Sequence, residues 1–331
     1  MDIASEYLLF LAKGLTLFAL ILATVSGIVA IVSRAKREGG ENIQIKNLNQ
    51  RFDRMRNRMQ AVMQPQKRRL RNLLKIPDRP SGDHTDQASP GQPPRRRVFV
   101  LNFHGDIVAS GIACLREEVT AVLSVAERHD EVVVRLESSG GVVHAYGLAA
   151  SQLVRIKERG IPLTITVDKV AASGGYMMAC VGDRLIAAPF AVIGSIGVVS
   201  QIPNFYRLLK NHDVDFEQFT AGDYKRTVSL FGETTEAGRE KLQEEVESAH
   251  TLLKTFLKTH RESLDIERVA NGEHWFGTEA RELKLIDELR TSDDYLLAAS
   301  TTADLYEVTY LAKRKNWLAQ LGDLVSKLAS R

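Results

Sequence analysis

Several sequence patterns that commonly mark enzyme chemistry are missing from this chain of 331 residues. There is no Walker phosphate-binding loop and no His-Glu-x-x-His zinc motif, which argues against a nucleotide hydrolase and a zinc protease. The Gly-x-Ser-x-Gly elbow of α/β-hydrolases is also missing, and no histidine lies between His144 and His212. A Ser-His-Asp triad is therefore disfavoured, and the lack of internal repeats argues against a solenoid.

Cysteine is scarce as well. Cys114 and Cys180 both lie in apolar surroundings, without the paired spacing of a zinc site or the density of a disulfide scaffold. Because free cysteine is among the most buried residue types, we predict that both are core side chains. Two such cysteines do not identify the cellular compartment.

Charge and proline are concentrated in one stretch. Residues 34–97 hold 17 Lys and Arg against 6 Asp and Glu, whereas 98–331 hold 26 against 33. Six of the nine prolines fall in the same basic stretch, where they prevent a continuous helix or a central strand. The composition predicts a basic arm and proline-rich linker over 34–97, followed by a folded domain over 98–312.

The longest uncharged run lies near the N-terminus. From Gly14 to Val32 there are 19 residues without a charge, close to the number that crosses a hydrocarbon core. Asp2 and Glu6 in the preceding segment argue against a cleaved signal peptide. We predict a retained, single-pass transmembrane anchor in residues 1–33. The basic residues that follow it favour a cytoplasmic C-terminal part under the positive-inside rule.

Two further segments have helical apolar spacing. Between Leu48 and Lys75, apolar residues recur among arginines, a pattern that suits either a helix on anionic lipid or a solvated arm. Over 313–331 the spacing predicts a C-terminal amphipathic helix. Its apolar stripe suits a neighbouring subunit, the membrane or its own core, and the sequence does not rank the three.

Short apolar, β-branched runs alternate with amphipathic stretches in the folded domain. The runs predict strands, and apolar positions with a period near 3.6 predict helices between them. The predicted strands are Val98–Phe103, Val132–Leu136, Leu163–Val167 and Leu185–Ala188, and the predicted helices cover 112–123, 143–154 and 235–260. This alternation favours an α/β fold.

Glycine-containing turns follow these strands, and one of them carries Ser173. Acyl transfer needs a nucleophile and N–H donors for a developing oxyanion, and a sharp strand-to-helix turn supplies both. Ser173 is followed by Gly174, Gly175 and an apolar stretch, which fits such a turn. A serine at a helix start is also a common N-cap, so this segment alone leaves both interpretations open.

A lysine can act as the base instead of histidine. Burial lowers the pKa of a lysine toward neutrality, and the neutral amine then accepts the serine proton. Lys225 follows a glycine turn and precedes the apolar Val228, Leu230 and Phe231, which makes it our candidate for that base. An ordinary surface lysine is the alternative interpretation.

Five segments, in order, resemble the signal peptide peptidase A group of serine proteases, and most closely its SohB-type membrane members. They are Glu137–Gly147, Ala171–Ala179, Gly194–Val198, Ala221–Arg226 and Gly277–Leu289. The resemblance covers roughly residues 98–290 and the predicted anchor. Five ordered matches are far more specific than any single one.

The resemblance assigns roles to particular residues. It implies that Ser173 is the nucleophile, Lys225 its base and Ser195 a hydrogen-bond partner of the lysine amine. It also implies an oxyanion hole formed by the N–H groups of Gly140 and Gly174. No metal or cofactor is needed for this chemistry.

The resemblance also implies a fold and a setting. The family fold is a ClpP/crotonase-like arrangement of βαβ units, expected here after one N-terminal transmembrane helix, and its members form rings. We therefore expect a homo-oligomer in the bacterial inner membrane that accepts unfolded or membrane-released peptides, including signal-peptide remnants, in a groove for small or apolar side chains. Nucleic acid is not an expected partner. Membrane proteases often work outside the cytoplasm, so the orientation is open.

One departure from the family pattern leaves two alternative functions open. The family commonly has proline before its double glycine, where this chain has Ser139, so the turn loses the fixed φ of proline. This departure and the basic arm suit a noncatalytic membrane scaffold of the same fold. A crotonase-like acyl-CoA enzyme also uses paired N–H donors, but the predicted anchor and the spaced Ser173 and Lys225 argue against it.

Overall fold

The computed structural model describes residues 9–18, 20, 42–63 and 95–311. The chain divides into two compact units, one of residues 1–42 with 313–331 and one of residues 43–312. In the first unit, residues 9–18 are helical. No helix among the described residues is long and apolar enough to cross a membrane. Most of the predicted span 14–32, and the predicted C-terminal helix 313–331, lie outside the described residues.

The second unit is a mixed α/β structure built on one large sheet, as the alternation of elements predicts. Its strands are β1 (Ile43–Asn47), β2 (Arg97–Gly105), β3 (Glu131–Ser138), β4 (Leu163–Val167), β5 (Val170–Ala172), β6 (Arg184–Ala187), β7 (Val192–Gly194), β8 (His274–Phe276), β9 (Glu288–Leu289) and β10 (Asp304–Tyr310). Its helices are α1 (Leu48–Met63), α2 (Ile112–Val125), α3 (Val143–Glu158), α4 (Gly174–Ala179), α5 (Tyr206–Asn211), α6 (Glu236–His260), α7 (Ile266–Val269), α8 (Gly277–Glu282) and α9 (Ser292–Ala299).

The strand order is β1, β10, β2, β3, β4, β6, β9. The central pairs from β10 through β6 to β9 are parallel, which requires the crossover helices that the sequence places between them. Strand β5 branches from the end of β3 and pairs with β7, and β7 pairs antiparallel with β8. This branch carries the chain of Ser173 out of the main sheet and beside the end of β3.

Both faces of the sheet are covered, and this explains why the central strands read as continuous apolar runs. The larger core lies under α2, α3 and α4 and includes Phe103, Leu136 and Leu153. A smaller cluster on the other face joins Leu48 of α1 to Leu296 of α9. Cys180 is fully buried and burial raises its pKa to about 12, whereas Cys114 is only partly buried.

The folded unit begins well before residue 98, where the sequence places its start. Strand β1 pairs antiparallel with β10 over its five residues, and α1 follows it directly. The Asn49 side chain donates to the carbonyls of Ser300 and Ala303 at 3.0 and 2.9 Å and accepts from Leu305 N–H at 2.7 Å. Part of the predicted basic arm is therefore an edge strand and helix of the domain itself.

Candidate active site

Ser173 occupies a strained turn between β5 and α4. Its φ of 51° and ψ of −120° lie in a region that L residues rarely adopt, at a cost of about 1–3 kcal/mol. Its N–H donates to the Gly194 carbonyl at 2.8 Å, which ties the turn to the end of β7. The side chain makes no capping hydrogen bond to α4, so the hydroxyl is not used as an ordinary N-cap. This geometry favours the nucleophile interpretation.

The loop after β3 lies against this turn and needs glycine to do so. A Cβ on Gly140 would lie 2.6 Å from the Gly174 nitrogen and 2.8 Å from the Cβ of Ser173, and Gly140 has a φ of +86°. A Cβ on Gly141 would lie 2.1 Å from the Ile107 carbonyl oxygen. Gly140, Ser173 and Gly174, three of the five residues predicted to form the site, are thus packed together in one chain.

A chain of hydrogen bonds ends on the Gly140 peptide. Tyr146 Oη donates its single proton to the Asp106 carbonyl at 2.8 Å, so the 2.6 Å contact between Ser138 Oγ and Tyr146 Oη must be donated by Ser138. Ser138 Oγ in turn accepts from Gly140 N–H at 3.1 Å. Every proton in the chain from Gly140 to Asp106 is therefore assigned. The exposed Ser139 takes no part in closing this turn.

Tyr146 contacts one predicted oxyanion donor directly and the other through Ser138. Through Ser138 it orients the Gly140 peptide, and its ring lies so close to Gly174 that a Cβ there would be 2.5 Å from the ring Cγ. The side chain is fully buried, and burial raises its pKa, which keeps the hydroxyl protonated. The sequence marks Tyr146 only as part of an apolar helix face, because its partner Asp106 lies 40 residues away.

The two predicted donors differ in their present partners. Gly140 N–H is bonded to Ser138, whereas Gly174 N–H has no acceptor among residues 95–311. Gly141, which the sequence analysis did not assign as a donor, lines the cavity beside Ser173, and its N–H also has no acceptor in that range. Gly141 and Gly174, which both line this cavity, therefore each have an N–H group without an acceptor in that range.

Ser195 lies beside Ser173 because β5 and β7 run in register. Ala172 pairs with Gly194, and each serine follows its strand by one residue. Ser195 has a φ of 49°, and its N–H donates to the Glu273 carbonyl at 2.6 Å. Both serines are thus held in left-handed conformations at the ends of adjacent strands.

A small apolar cavity of about 40 Å³ opens beside Ser173. Val143 of α3, Met177 of α4 and Leu253 of α6 contribute apolar side chains to its lining. Hydrocarbon walls around a polar turn suit a small, uncharged side chain and exclude a charged one.

Lys225 is not part of this arrangement. It lies in the segment 198–235, is exposed, and lines a different cavity together with Phe216 and Phe219. Within the described ranges its ammonium group has neither an ion pair nor a hydrogen bond, so none joins it to Ser173 or Ser195. The predicted base is the one site residue that this single chain does not bring to the others.

Comparison with known proteins matches the chain to one peptidase family. Residues 2–153 match the N-terminal model of peptidase family S49, and residues 155–306 match the peptidase family S49 model. The chain is 47% identical to a probable protease SohB of Haemophilus influenzae over 320 residues, covering 95% of this chain and 90% of that protein. A probable protease SohB of Buchnera aphidicola subsp. Schlechtendalia chinensis is 45% identical over 90% of this chain and 100% of its own length.

A third relative matches a shorter segment more strongly. It is the probable protease SohB of Buchnera aphidicola subsp. Acyrthosiphon pisum, 57% identical over 221 residues that cover 67% of this chain and 66% of that protein. Both halves of the family pattern and nearly the full length of two relatives are thus matched, which supports a peptidase function. The chain belongs to peptidase family S49 and is of the SohB type.

Proposed function

We propose that the protein is a membrane-anchored serine endopeptidase that hydrolyses peptide bonds with a Ser173–Lys225 dyad. The observation that carries the proposal is the Ser173 turn: a strained serine whose hydroxyl makes no capping hydrogen bond, next to an apolar cavity and packed against two glycine loops. Strain retained at this partly buried serine indicates a functional constraint, because an ordinary turn would relax to a conformation of lower energy.

In the proposed acylation step, neutral Lys225 takes the Ser173 proton while Ser173 Oγ forms a bond to the peptide carbonyl carbon. The carbonyl oxygen becomes an oxyanion that accepts from Gly174 N–H. Gly140 N–H turns from Ser138 to this oxygen, because a charged acceptor forms a stronger hydrogen bond than a hydroxyl. The C–N bond then breaks, and the lysine proton passes to the leaving amine.

The second half of the reaction reverses these roles. Water attacks the acyl-enzyme and gives its proton to Lys225, and Ser173 leaves as the alcohol with that proton. We propose that Ser195, which follows the strand paired with that of Ser173, accepts from the lysine ammonium. No metal or cofactor is involved in any step.

The proposed substrates are unfolded or membrane-released peptides, including signal-peptide remnants. The support is the size and lining of the cavity, which suits a small apolar side chain next to the cleaved bond. The proposed location is the bacterial inner membrane, with a single-pass anchor within residues 1–33 and the catalytic domain on a side that the sequence leaves open.

Because Lys225 lies apart from Ser173, we propose that the working enzyme is a homo-oligomer in which one copy supplies the lysine to its neighbour. The exposed apolar side chains of the Lys225 segment, such as Val199 and Phe219 at 78% and 90% exposure, suit burial against another copy. A rearrangement within one chain is the alternative, and mixing of variants distinguishes the two.

The test uses purified full-length protein, a quenched peptide substrate and a serine-directed phosphonate probe. Ser173→Ala should abolish both hydrolysis and labelling while the unfolding transition of the domain is retained. Undiminished hydrolysis by the variant would refute the proposal. Labelling of the wild-type chain that is lost in both Ser173→Ala and Lys225→Ala would reject the noncatalytic scaffold.

A further inference from the structure

Helix α1 has a row of apolar side chains along one face, and the rest of the domain covers only part of this row. At 100° per residue, six side chains of the helix fall on one face. These residues, called the α1 stripe below, are Leu48, Phe52, Met55, Met59, Val62 and Met63. The opposite face holds asparagine and glutamine, so the helix is amphipathic along its whole length.

The domain covers only the first turn of this stripe. Leu48 is 5% exposed, and Phe52 packs against the same cluster below α9. Beyond Phe52 the exposure rises along the helix to 55% at Met55, 63% at Met59 and 76% at Met63. The second half of the α1 stripe therefore extends beyond the domain without a partner among the described residues.

Arginines border this exposed half on both sides. Arg51 and Arg58 lie along one edge of the α1 stripe, and Arg56 lies along the other. Asp53 is the single acidic residue of the helix and is paired with Arg56 at 2.5 Å. Arg51 and Arg58 have no acidic partner in the described part of the chain. The sequence after the helix adds five more basic residues before residue 76.

We propose that the exposed half of α1 lies on an anionic lipid surface. Apolar side chains that enter the acyl boundary while flanking arginines meet lipid phosphates are the defining features of an interfacial helix. A second copy of the helix is a poorer occupant, because pairing two α1 stripes would bring their arginine borders together without acids to neutralise them. The charge pattern thus selects lipid over self-association.

This contact would give the domain a fixed orientation on the bilayer. The first turn of α1 is fastened to the domain through Asn49, so lipid bound by the second half holds the whole unit at a set angle. The inference does not depend on the Ser173 chemistry, and its failure would leave the proposed proteolysis untouched.

The experiment uses the full chain in nanodiscs of phosphatidylcholine with and without phosphatidylglycerol. A Met59→Cys variant in a Cys114→Ala background carries an environment-sensitive fluorophore, since Cys180 is buried and stays unlabelled. We expect a blue shift with phosphatidylglycerol, a smaller one without it, and loss of the difference in Arg51→Gln/Arg58→Gln. The matched control is Asn57→Cys, which places the same fluorophore on the polar face and should show no shift.

Three results would overturn the inference. One is the same emission at position 59 in both lipids, and another is an equal shift at position 57. The third is a shift in detergent that grows with protein concentration, which would assign the α1 stripe to a second copy instead.

Discussion

The surroundings of Ser173 and the segment that carries Lys225 are built in opposite ways. Ser173 lies at the end of a sheet strand. Gly140, Gly174 and Tyr146 pack around it so closely that a Cβ would clash at either glycine. Residues 198–235 contain one short helix, α5, and leave large apolar side chains in solvent. The core of one chain thus fixes the proposed nucleophile, whereas nothing in that core fixes the proposed base.

Under the proposed dyad, this difference indicates which half of the site would depend on assembly. A nucleophile and oxyanion donors must be placed to within fractions of an ångström, and sheet register with glycine contacts achieves that inside one chain. A lysine on a long side chain can be delivered by a separate surface. Comparing variants of the two regions therefore tests whether they belong to one catalytic unit.

The largest effect is expected from Lys225→Ala. Removing a general base costs about 10²- to 10⁴-fold in rate, so kcat for peptide hydrolysis should fall by that amount while the unfolding midpoint changes little, because the side chain is exposed. Lys210→Ala, in the same segment, is the matched control and should retain activity. Equal activity of both variants would remove Lys225 from the mechanism.

Mixing the two inactive variants tests where the lysine acts. When Ser173→Ala and Lys225→Ala are unfolded and refolded together, a mixed oligomer contains neighbours with one intact serine and one intact lysine. Recovery of part of the wild-type activity is expected if the dyad spans two copies. Mixed oligomers confirmed by affinity tags but devoid of activity would place the dyad within one chain.

Two glycines with similar backbone angles allow the surroundings of Ser173 and the Lys225 segment to be compared directly. Gly140 and Gly222 have φ values of +86° and +95°, but a Cβ would clash at Gly140 and meets nothing within 4 Å at Gly222. Gly140→Ala should cost roughly 2–5 kcal/mol in unfolding free energy, combining strain and overpacking, and should abolish hydrolysis. Gly222→Ala should cost only about 1–2 kcal/mol from strain. Equal losses in urea unfolding would contradict the crowding inferred at Gly140.

The ion pair of Asp287 and Arg261 makes the stability of the domain depend on pH in acid. Asp287 accepts from Arg261 Nη2 at 2.7 Å and from Leu185 N–H at 2.7 Å; burial opposes ionisation, but these hydrogen bonds outweigh it and lower the pKa of Asp287. A lowered folded pKa means that the stabilisation is present above the unfolded value near about 4 and is lost as pH falls through the folded one.

Asp287→Asn should therefore destabilise the domain by about 1–2 kcal/mol at neutral pH, with the difference from wild type shrinking below about pH 4. The side chain is 39% exposed, which limits the effect. Glu244→Gln, which breaks the exposed pair of Lys241 and Glu244 at 2.9 Å, should change stability by less than about 0.5 kcal/mol. Urea unfolding across pH measures both, and a constant difference for Asp287→Asn would contradict its lowered pKa.

Much of the fold follows from local sequence patterns. The predicted strands at 98–103, 132–136, 163–167 and 185–188 all lie within or overlap observed strands, because buried parallel strands are continuous apolar runs. Strand β1 was not predicted. Its five residues alternate apolar and polar side chains, but the run is short and lies inside the basic stretch. Its pairing with β10 also joins segments more than 250 residues apart.

The candidate site, like the fold, was predicted only in part. Gly140, Ser173 and Gly174 are recognisable because glycine turns after strands are local signals, and the structure brings them together. The hydrogen-bond chain through Ser138 and Tyr146 was missed, since it depends on which loops meet. No local pattern predicts where Lys225 lies relative to Ser173, because the segment that carries Lys225 is not part of the core around Ser173.

The smallest effect on kcat concerns the Tyr146 hydroxyl, which we predict to be a positioning group. Tyr146→Phe keeps the ring against Gly174 but removes the acceptor of the Ser138 proton, so the loop that carries Gly140 and Gly141 is held less firmly beside Ser173. We expect kcat to fall about tenfold with little change in KM, since about 1.4 kcal/mol of oxyanion stabilisation would be lost only in the transition state. Tyr176→Phe is the matched control, because it removes a buried hydroxyl bonded at 2.8 Å to the Leu285 carbonyl. If the two variants lose stability alike and kcat alike, Tyr146 is merely structural; a kcat loss confined to Tyr146→Phe shows that the hydroxyl orients the donor.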